Sequence, residues 1–242
     1  MTTTHTTPTT PAPTRSVGVV LALLWFAIVL DGFDLVVLGA TIPAMLQDTS
    51  WDLDAAHATQ ISTLGLVGMM IGALTIGFLT DKLGRRRVMI FSVAVFSVFT
   101  LLLAFTSDIT LFTLWRFLAG VGLGGALPTA IAMVTEFRPG TKAGSASTTL
   151  MTGYHVGAVA TAFLGILLIE PLGWHSMFIA GAVPGLILLP LLYFLLPESP
   201  QFLLSTGRAE QARKIATAYG LNLDDDLDRE HKQEISESAS LS

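Results

Sequence analysis

The sequence predicts an all-α membrane protein with six transmembrane helices, and three observations carry that prediction. First, 52% of the 242 residues are hydrophobic and only 13% are charged, against roughly 25% charged residues in an ordinary soluble domain. Mean hydropathy is +0.66. Second, six apolar runs fall near 17–40, 58–80, 88–106, 110–135, 145–169 and 175–196. Each approaches or exceeds the roughly 20 residues that cross the hydrocarbon core as a helix. Third, the cations cluster in alternate connections. With the N-terminus inside, 12 of the 13 basic residues lie on the inner side. The outer loops at 41–57, 107–109 and 170–174 hold no Lys or Arg and carry Asp48, Asp52, Asp54, Asp108 and Glu170. The positive-inside rule then places both termini in the cytoplasm of a cell membrane.

The elements follow in order. Residues 1–16, MTTTHTTPTTPAPTRS, are polar and rich in Thr and Pro, the composition of a disordered cytoplasmic tail. Residues 17–196 form the six-helix bundle. Residues 197–242 form a cytoplasmic segment whose final stretch, 224–242, has seven acids and two bases. That local excess accounts for the formal net charge of −5, so no basic partner and no nucleic acid is inferred from it. With no cysteine, neither a disulfide framework nor a thiolate metal site is available, and no cofactor is expected.

Helix 1 carries Asp31 and Asp34, and helix 4 carries Arg116. Each charge costs about 2.5–3.5 kcal/mol at mid-membrane unless it finds a partner or water. From the ends of the apolar runs, Asp34 and Arg116 both lie six residues, roughly 9 Å, inside the outer boundary. They are expected to pair. Asp31 and Asp34 share a helix face by their i, i+3 spacing, so two carboxylates meet one guanidinium. A structural ion pair is one reading. The other is that the surplus carboxylate changes protonation, since burial favours the neutral acid and a nearby cation the ionised one. Asp31 or Asp34 then carries a proton, and Arg116 is its counter-charge or a handle for an anion. His155, beside Tyr154 in helix 5, is expected to titrate or bond a carboxylate, which puts both residues on the proton and substrate pathway; its alternative is buried packing with a hydrogen-bonded imidazole.

Small residues mark where helices approach. Gly65, Gly68, Gly72 and Gly77 lie on helix 2, Gly120, Gly122, Gly124 and Gly125 on helix 4, and Gly153, Gly157 and Gly165 on helix 5, spacings that permit backbone contact. The connection 77–87, GFLTDKLGRRR, contains Gly77, Asp81, Gly84, Arg85 and Arg86. Gly84 permits a tight turn, and the cations suit anionic lipid heads and the carbonyls at helix ends.

This stretch resembles the signature of the major facilitator superfamily, G-x-L-x-D-[RK]-x-G-R-[RK]-x, at every specified position. RFLAGVGLG at 116–124 and EFRPGTKAG at 136–144 resemble that superfamily's helix 4 motif and the loop after it. PESPQFL at 197–203 resembles the opening of its central loop, with Gln201 where a basic residue is common. DGFD at 31–34 is similar to the helix 1 signature of the aromatic acid:H+ symporter family. The resemblance implies uptake of benzoate-like or 4-hydroxybenzoate-like anions with protons, with the helix 1 aspartates and Arg116 among the functional residues and the 77–87 loop as a gate. GYHVGAVATA at 153–162 lacks the proline and closing glycines of the exporters' helix 5 motif, which favours import. Another organic acid, a sugar or a drug is the alternative cargo, by symport or efflux. The superfamily fold has twelve helices in two halves, and this sequence corresponds to the N-terminal half. It is expected to need the C-terminal six-helix half in order to transport.

An enzyme is not expected. A serine protease nucleophile motif is missing, the nearest stretch being AGSAS at 143–147, and H-E-x-x-H is absent. A channel lining of repeated polar residues is not visible either.

Overall fold

The computed structural model describes residues 14–51 and 53–221, and no strand occurs among them. The bundle comprises α1 (Val17–Gln47), α2 (Ala55–Leu83), α3 (Arg85–Leu103), α4 (Ile109–Phe137), α5 (Lys142–Leu172) and α6 (His175–Leu195). All six are long and apolar enough to cross a membrane. Two short helices follow, α7 (Pro200–Ser205) and α8 (Ala209–Tyr219), in the 197–242 segment, where the sequence predicts no helix. The described part of the N-terminal tail is short. Ser16 caps α1 by accepting from the Gly18 N–H, and the Arg15 N–H bonds Ala218 O at 2.8 Å. The rest of that tail and the acidic 224–242 stretch lie outside the described residues.

Most helices run past their apolar cores because backbone bonding continues after hydropathy falls. The largest difference is in α1, which continues from Ala40 through Pro43 to Gln47. With 31 residues, α1 and α5 are roughly 46 Å long at 1.5 Å per residue, longer than the roughly 30 Å hydrocarbon core. Side-chain caps fix several starts: Asp54 accepts from the His57 N–H at 2.7 Å and Asp108 from the Leu111 N–H at 2.8 Å.

The most extensive packing pairs are α2 with α4, α1 with α5, and α3 with α4 and α6. Glycine makes the first two possible. A Cβ on Gly124 would lie 2.8 Å from Ala73 N, and one on Gly157 would lie 2.7 Å from Phe33 N. Gly120 meets the Gly65 carbonyl, Gly153 meets Trp25 O, and Gly122 meets Phe96 N on α3. At these five glycines the backbone of a neighbouring helix lies closer than a Cβ would allow. Gly77 differs: it is exposed, with no atom within 4 Å of an added Cβ.

Buried apolar side chains form two layers along the bundle axis. One, toward the end that carries the basic connections, gathers Leu24, Ile28, Phe96, Met133 and Phe137. The other, toward the acidic end, gathers Phe33, Met45, Trp51, Phe112, Trp174 and Phe178. Leu30 belongs to the first layer and Phe33 to the second, so Asp31 and Asp34 lie where they meet. The exterior remains apolar, with Leu66, Leu74 and Phe78 on α2 and Phe163 and Ile166 on α5 all exposed.

Candidate functional site

Between the two layers, Asp31, Asp34 and Arg116 are 3%, 2% and 4% exposed. Arg116 Nη1 donates to Asp34 Oδ2 at 2.5 Å and Nη2 donates to Asp34 O at 3.0 Å. Asp34 Oδ1 accepts from Thr100 Oγ1 of α3 at 2.7 Å. One carboxylate thus ties α1 to α3 and α4. The pair forms although α1 ends thirteen residues past Asp34 while α4 begins seven before Arg116. The ends of the apolar runs put the two charges at equal depth; in the structure α1 projects beyond the start of α4, and the two charges still meet.

Gly65 makes room for the arginine, since a Cβ there would lie 3.2 Å from Arg116 Cγ. Arg116 Nε has no hydrogen-bond partner among the described residues. The arginine lines a cavity of about 140 Å³ with Leu35, Leu38, Gly39, Ser62 and Met69. Asp31 stands apart from this network. Its Oδ1 is buried with no hydrogen-bond partner, and no cation lies within ion-pair range of it among the described residues.

The adjacent Gly32 abuts the backbone of Tyr154, where a Cβ would lie 2.9 Å from Tyr154 Cα. This places α5 against the aspartate turn. Tyr154 is half-buried and stands edge-on to His155, with ring centroids 6.1 Å apart. His155 itself is exposed on α5. The reading of it as a buried, bonded imidazole is therefore corrected: the α5 face that packs on α1 carries Gly153, Gly157 and Thr161, and position 155 points away from that face.

At the basic end, the α2–α3 turn forms a second constellation. Gly84 has φ +94°, and a Cβ there would lie 2.7 Å from Phe202 Cε1. Arg85 pairs with Glu136 at the end of α4 and donates to Ala132 O at 3.1 Å. The Arg86 N–H donates to Glu198 Oε1 at 3.0 Å, while its guanidinium donates to Tyr193 O of α6. Ser199 donates to Glu136 and caps α7 by accepting from the Phe202 N–H at 3.0 Å. The turn is therefore tied to α4, α6 and α7 together. Asp81 lies in the last turn of α2 and is exposed.

Glu136, Glu198 and Ser199 lie in the EFRPGTKAG and PESPQFL stretches without a role assigned to them from the sequence, and Thr100 lies in no motif. Glu136 and Glu198 had a readable signal, being acids beside basic connections; a threonine in an apolar helix has none. At the acidic end, Asp48 accepts from Ser50 Oγ at 2.6 Å and Trp174 Nε1 at 3.0 Å. These bonds hold its carboxyl below the usual carboxylate range.

Residues 24–225 match the Major Facilitator Superfamily. The chain is 37% identical over 203 residues to the "Benzoate transport protein" of Acinetobacter baylyi, covering 82% of this chain and 43% of that protein. It is 36% identical over 206 residues to the "4-hydroxybenzoate transporter PcaK" of the same organism, covering 84% and 45%. The chain thus spans less than half the length of these relatives. Its fold is similar to that of the proton:xylose symporter XylE of E. coli, with TM-score 0.75 at 22% identity, covering 91% of this chain and 52% of that one. The six helices correspond to the N-terminal half of that architecture. By its sequence match and its six-helix fold, the chain belongs to the major facilitator superfamily, whose members are membrane carriers rather than enzymes.

Proposed function

We propose that the chain supplies the N-terminal half of a proton-coupled uptake carrier for small aromatic carboxylates of the benzoate and 4-hydroxybenzoate kind. Its basic end and both termini face the cytoplasm of a cell membrane, and a C-terminal six-helix half completes the transport path. One observation carries the mechanism. Asp34 is held by Arg116 and Thr100, whereas Asp31, one turn away and equally buried, has an oxygen without a partner. The names of the relatives support the cargo class.

Charge balance gives the coupling. Two carboxylates and one guanidinium carry one surplus negative charge. A bound substrate anion alone raises this to two in a region where each costs about 2.5–3.5 kcal/mol, and a proton on Asp31 returns it to one. Anion and proton therefore load best together. The cavity beside Arg116 offers apolar walls for a ring, the Ser62 hydroxyl and a guanidinium able to bond a carboxylate. The substrate then shares the arginine with Asp34, which loosens the link between α1 and α4.

The basic-end turn acts as the gate. Arg85–Glu136 and Arg86–Glu198 hold it closed over α4 and α7, and the exposed Gly77 and Asp81 meet the second half. Tyr154 and His155 belong to the pathway on the α5 side.

The test is uptake of radiolabelled 4-hydroxybenzoate by a carrier containing this chain as its N-terminal half. Saturable accumulation that a protonophore collapses and benzoate competes is expected. Accumulation indifferent to the protonophore, or competed by xylose and not by benzoate, overturns the reading.

A further inference from the structure

Two features at the basic end adjoin each other, and neither belongs to the membrane charge cluster. The first is a cavity of about 530 Å³ lined by Arg15, Arg86, Arg87, Arg208 and Lys214, with Glu198 the one acid among the lining residues. Both the Arg86 and Ser199 backbone N–H groups already bond Glu198 Oε1. Arg15, Arg87 and Arg208 form no salt bridge among the described residues. The cations come from four places: the start of α1, the start of α3, the α7–α8 junction and α8. The fold has gathered them from distant parts of the chain.

The second feature is a groove of about 500 Å³ between α1 and α6, lined entirely by apolar side chains that include Val19, Ala22, Phe26, Ile187 and Leu191. All five are exposed. The groove begins where the cavity ends. Val19, in the first turn of α1, lies four residues past Arg15, and Leu191 lies three residues before Phe194, which lines the cavity. From Leu191 back to Pro184 the groove rises seven residues, roughly 10 Å along the helix, within the roughly 15 Å half-thickness of a 30 Å hydrocarbon core.

A phosphate-bearing ligand suits the cavity, because guanidinium groups bond phosphate oxygens in pairs. A free phosphate has no use for the groove, and an uncharged lipid has none for the guanidiniums of Arg15, Arg87 and Arg208, which form no ion pair among the described residues, beside Lys214, which pairs with Glu210 at 2.8 Å on α8. We propose that this corner binds one anionic phospholipid, its phosphate among Arg15, Arg87, Arg208 and Lys214 and one acyl chain along the α1–α6 groove. Such a lipid bridges α8 to the bundle and holds the segment after α6 against the membrane surface.

The test is native mass spectrometry of the full chain released from micelles containing equal phosphatidylglycerol and phosphatidylcholine of identical acyl chains. Retention of one phosphatidylglycerol with about tenfold preference is expected, given the attraction of clustered Lys and Arg for anionic headgroups. Replacing Arg87, Arg208 and Lys214 by glutamine brings the two lipids to near-equal retention. Ala22→Trp, which fills the groove and leaves the cations in place, lowers retention of phosphatidylglycerol several-fold. Equal retention by the unaltered chain overturns the proposal without reliance on any variant. So does undiminished retention in Ala22→Trp or persistent preference in the triple variant. Displacement of the lipid by millimolar inorganic phosphate assigns the cavity to a soluble anion and likewise overturns it.

Discussion

Replacing Asp34 by asparagine, Arg116 by glutamine, and both together separates the worth of the buried pair from the cost of orphaning one of its members. The pair is 2% and 4% exposed, joined at 2.5 Å, and extended by Thr100 and the Asp34 carbonyl. Asp34→Asn keeps an acceptor for Thr100 but leaves the guanidinium without a counter-ion in ion-pair range, since no salt bridge reaches Asp31 among the described residues. Removing one partner of a buried pair costs about 3–5 kcal/mol, most of it for the charge left behind. Arg116→Gln strands the Asp34 carboxylate beside Asp31, and a loss of about the same size is expected from that principle. In the double variant no stranded charge remains from the pair, so its loss falls well below the sum of the two singles, with a coupling energy of about 0.5–3 kcal/mol or more. The assay is equilibrium unfolding of the purified chain in micelles, followed by tryptophan fluorescence. Single losses below about 1 kcal/mol, or a double loss equal to their sum, refute the placement of an uncompensated charge between the two core layers.

Glycine contacts give a contrast within one residue type. Gly124→Ala and Gly157→Ala should each destabilise the bundle by about 1–3 kcal/mol through overpacking. Gly77→Ala, with open space around its Cβ, should be neutral or stabilising by up to about 1 kcal/mol through helix propensity; unfolding curves of the three variants check this. At the basic end, Glu198→Gln weakens the acceptor that bonds the Arg86 and Ser199 N–H groups, so limited trypsinolysis at Arg208 and Arg213 should accelerate, with unchanged cleavage arguing against the link. At the acidic end, the depressed pKa of Asp48 contributes stability that is present above the usual value of 3.8 and is lost as pH falls through the lower folded value. Tryptophan emission from Trp51 and Trp174 should change below about pH 4, and Asp48→Asn should remove that step.

Hydropathy and cation placement made the six helices and their order legible, because the bilayer leaves a chain few alternatives. Helix ends were not legible in the same way. Thr41 and Pro43 end an apolar run, yet α1 continues to Gln47, with the Thr41 hydroxyl bonding Val37 O and Met45 buried in the acidic-end layer. The Asp34–Arg116 pair was readable because charges inside a membrane are few and need partners. Thr100 was not, since a lone hydroxyl in an apolar helix usually bonds its own backbone, as Thr129 does with Gly125 O. The exposure of His155 was not legible for a related reason: one sequence position does not say which face of α5 is covered. α7 and α8 escaped notice because both are short and lie on the bundle instead of crossing the membrane. Ser199 as an N-cap is the local signal that marks α7.

On the proposed reading, Asp31 carries the coupled proton while Asp34 and Arg116 organise the site. The most direct measurement compares net accumulation with counterflow of labelled 4-hydroxybenzoate in a carrier containing this chain with Asp31→Asn. A permanently neutral side chain at position 31 should abolish accumulation driven by a pH gradient while exchange of internal for external substrate continues. Protonophore-sensitive accumulation at the level of the unaltered carrier would contradict the account.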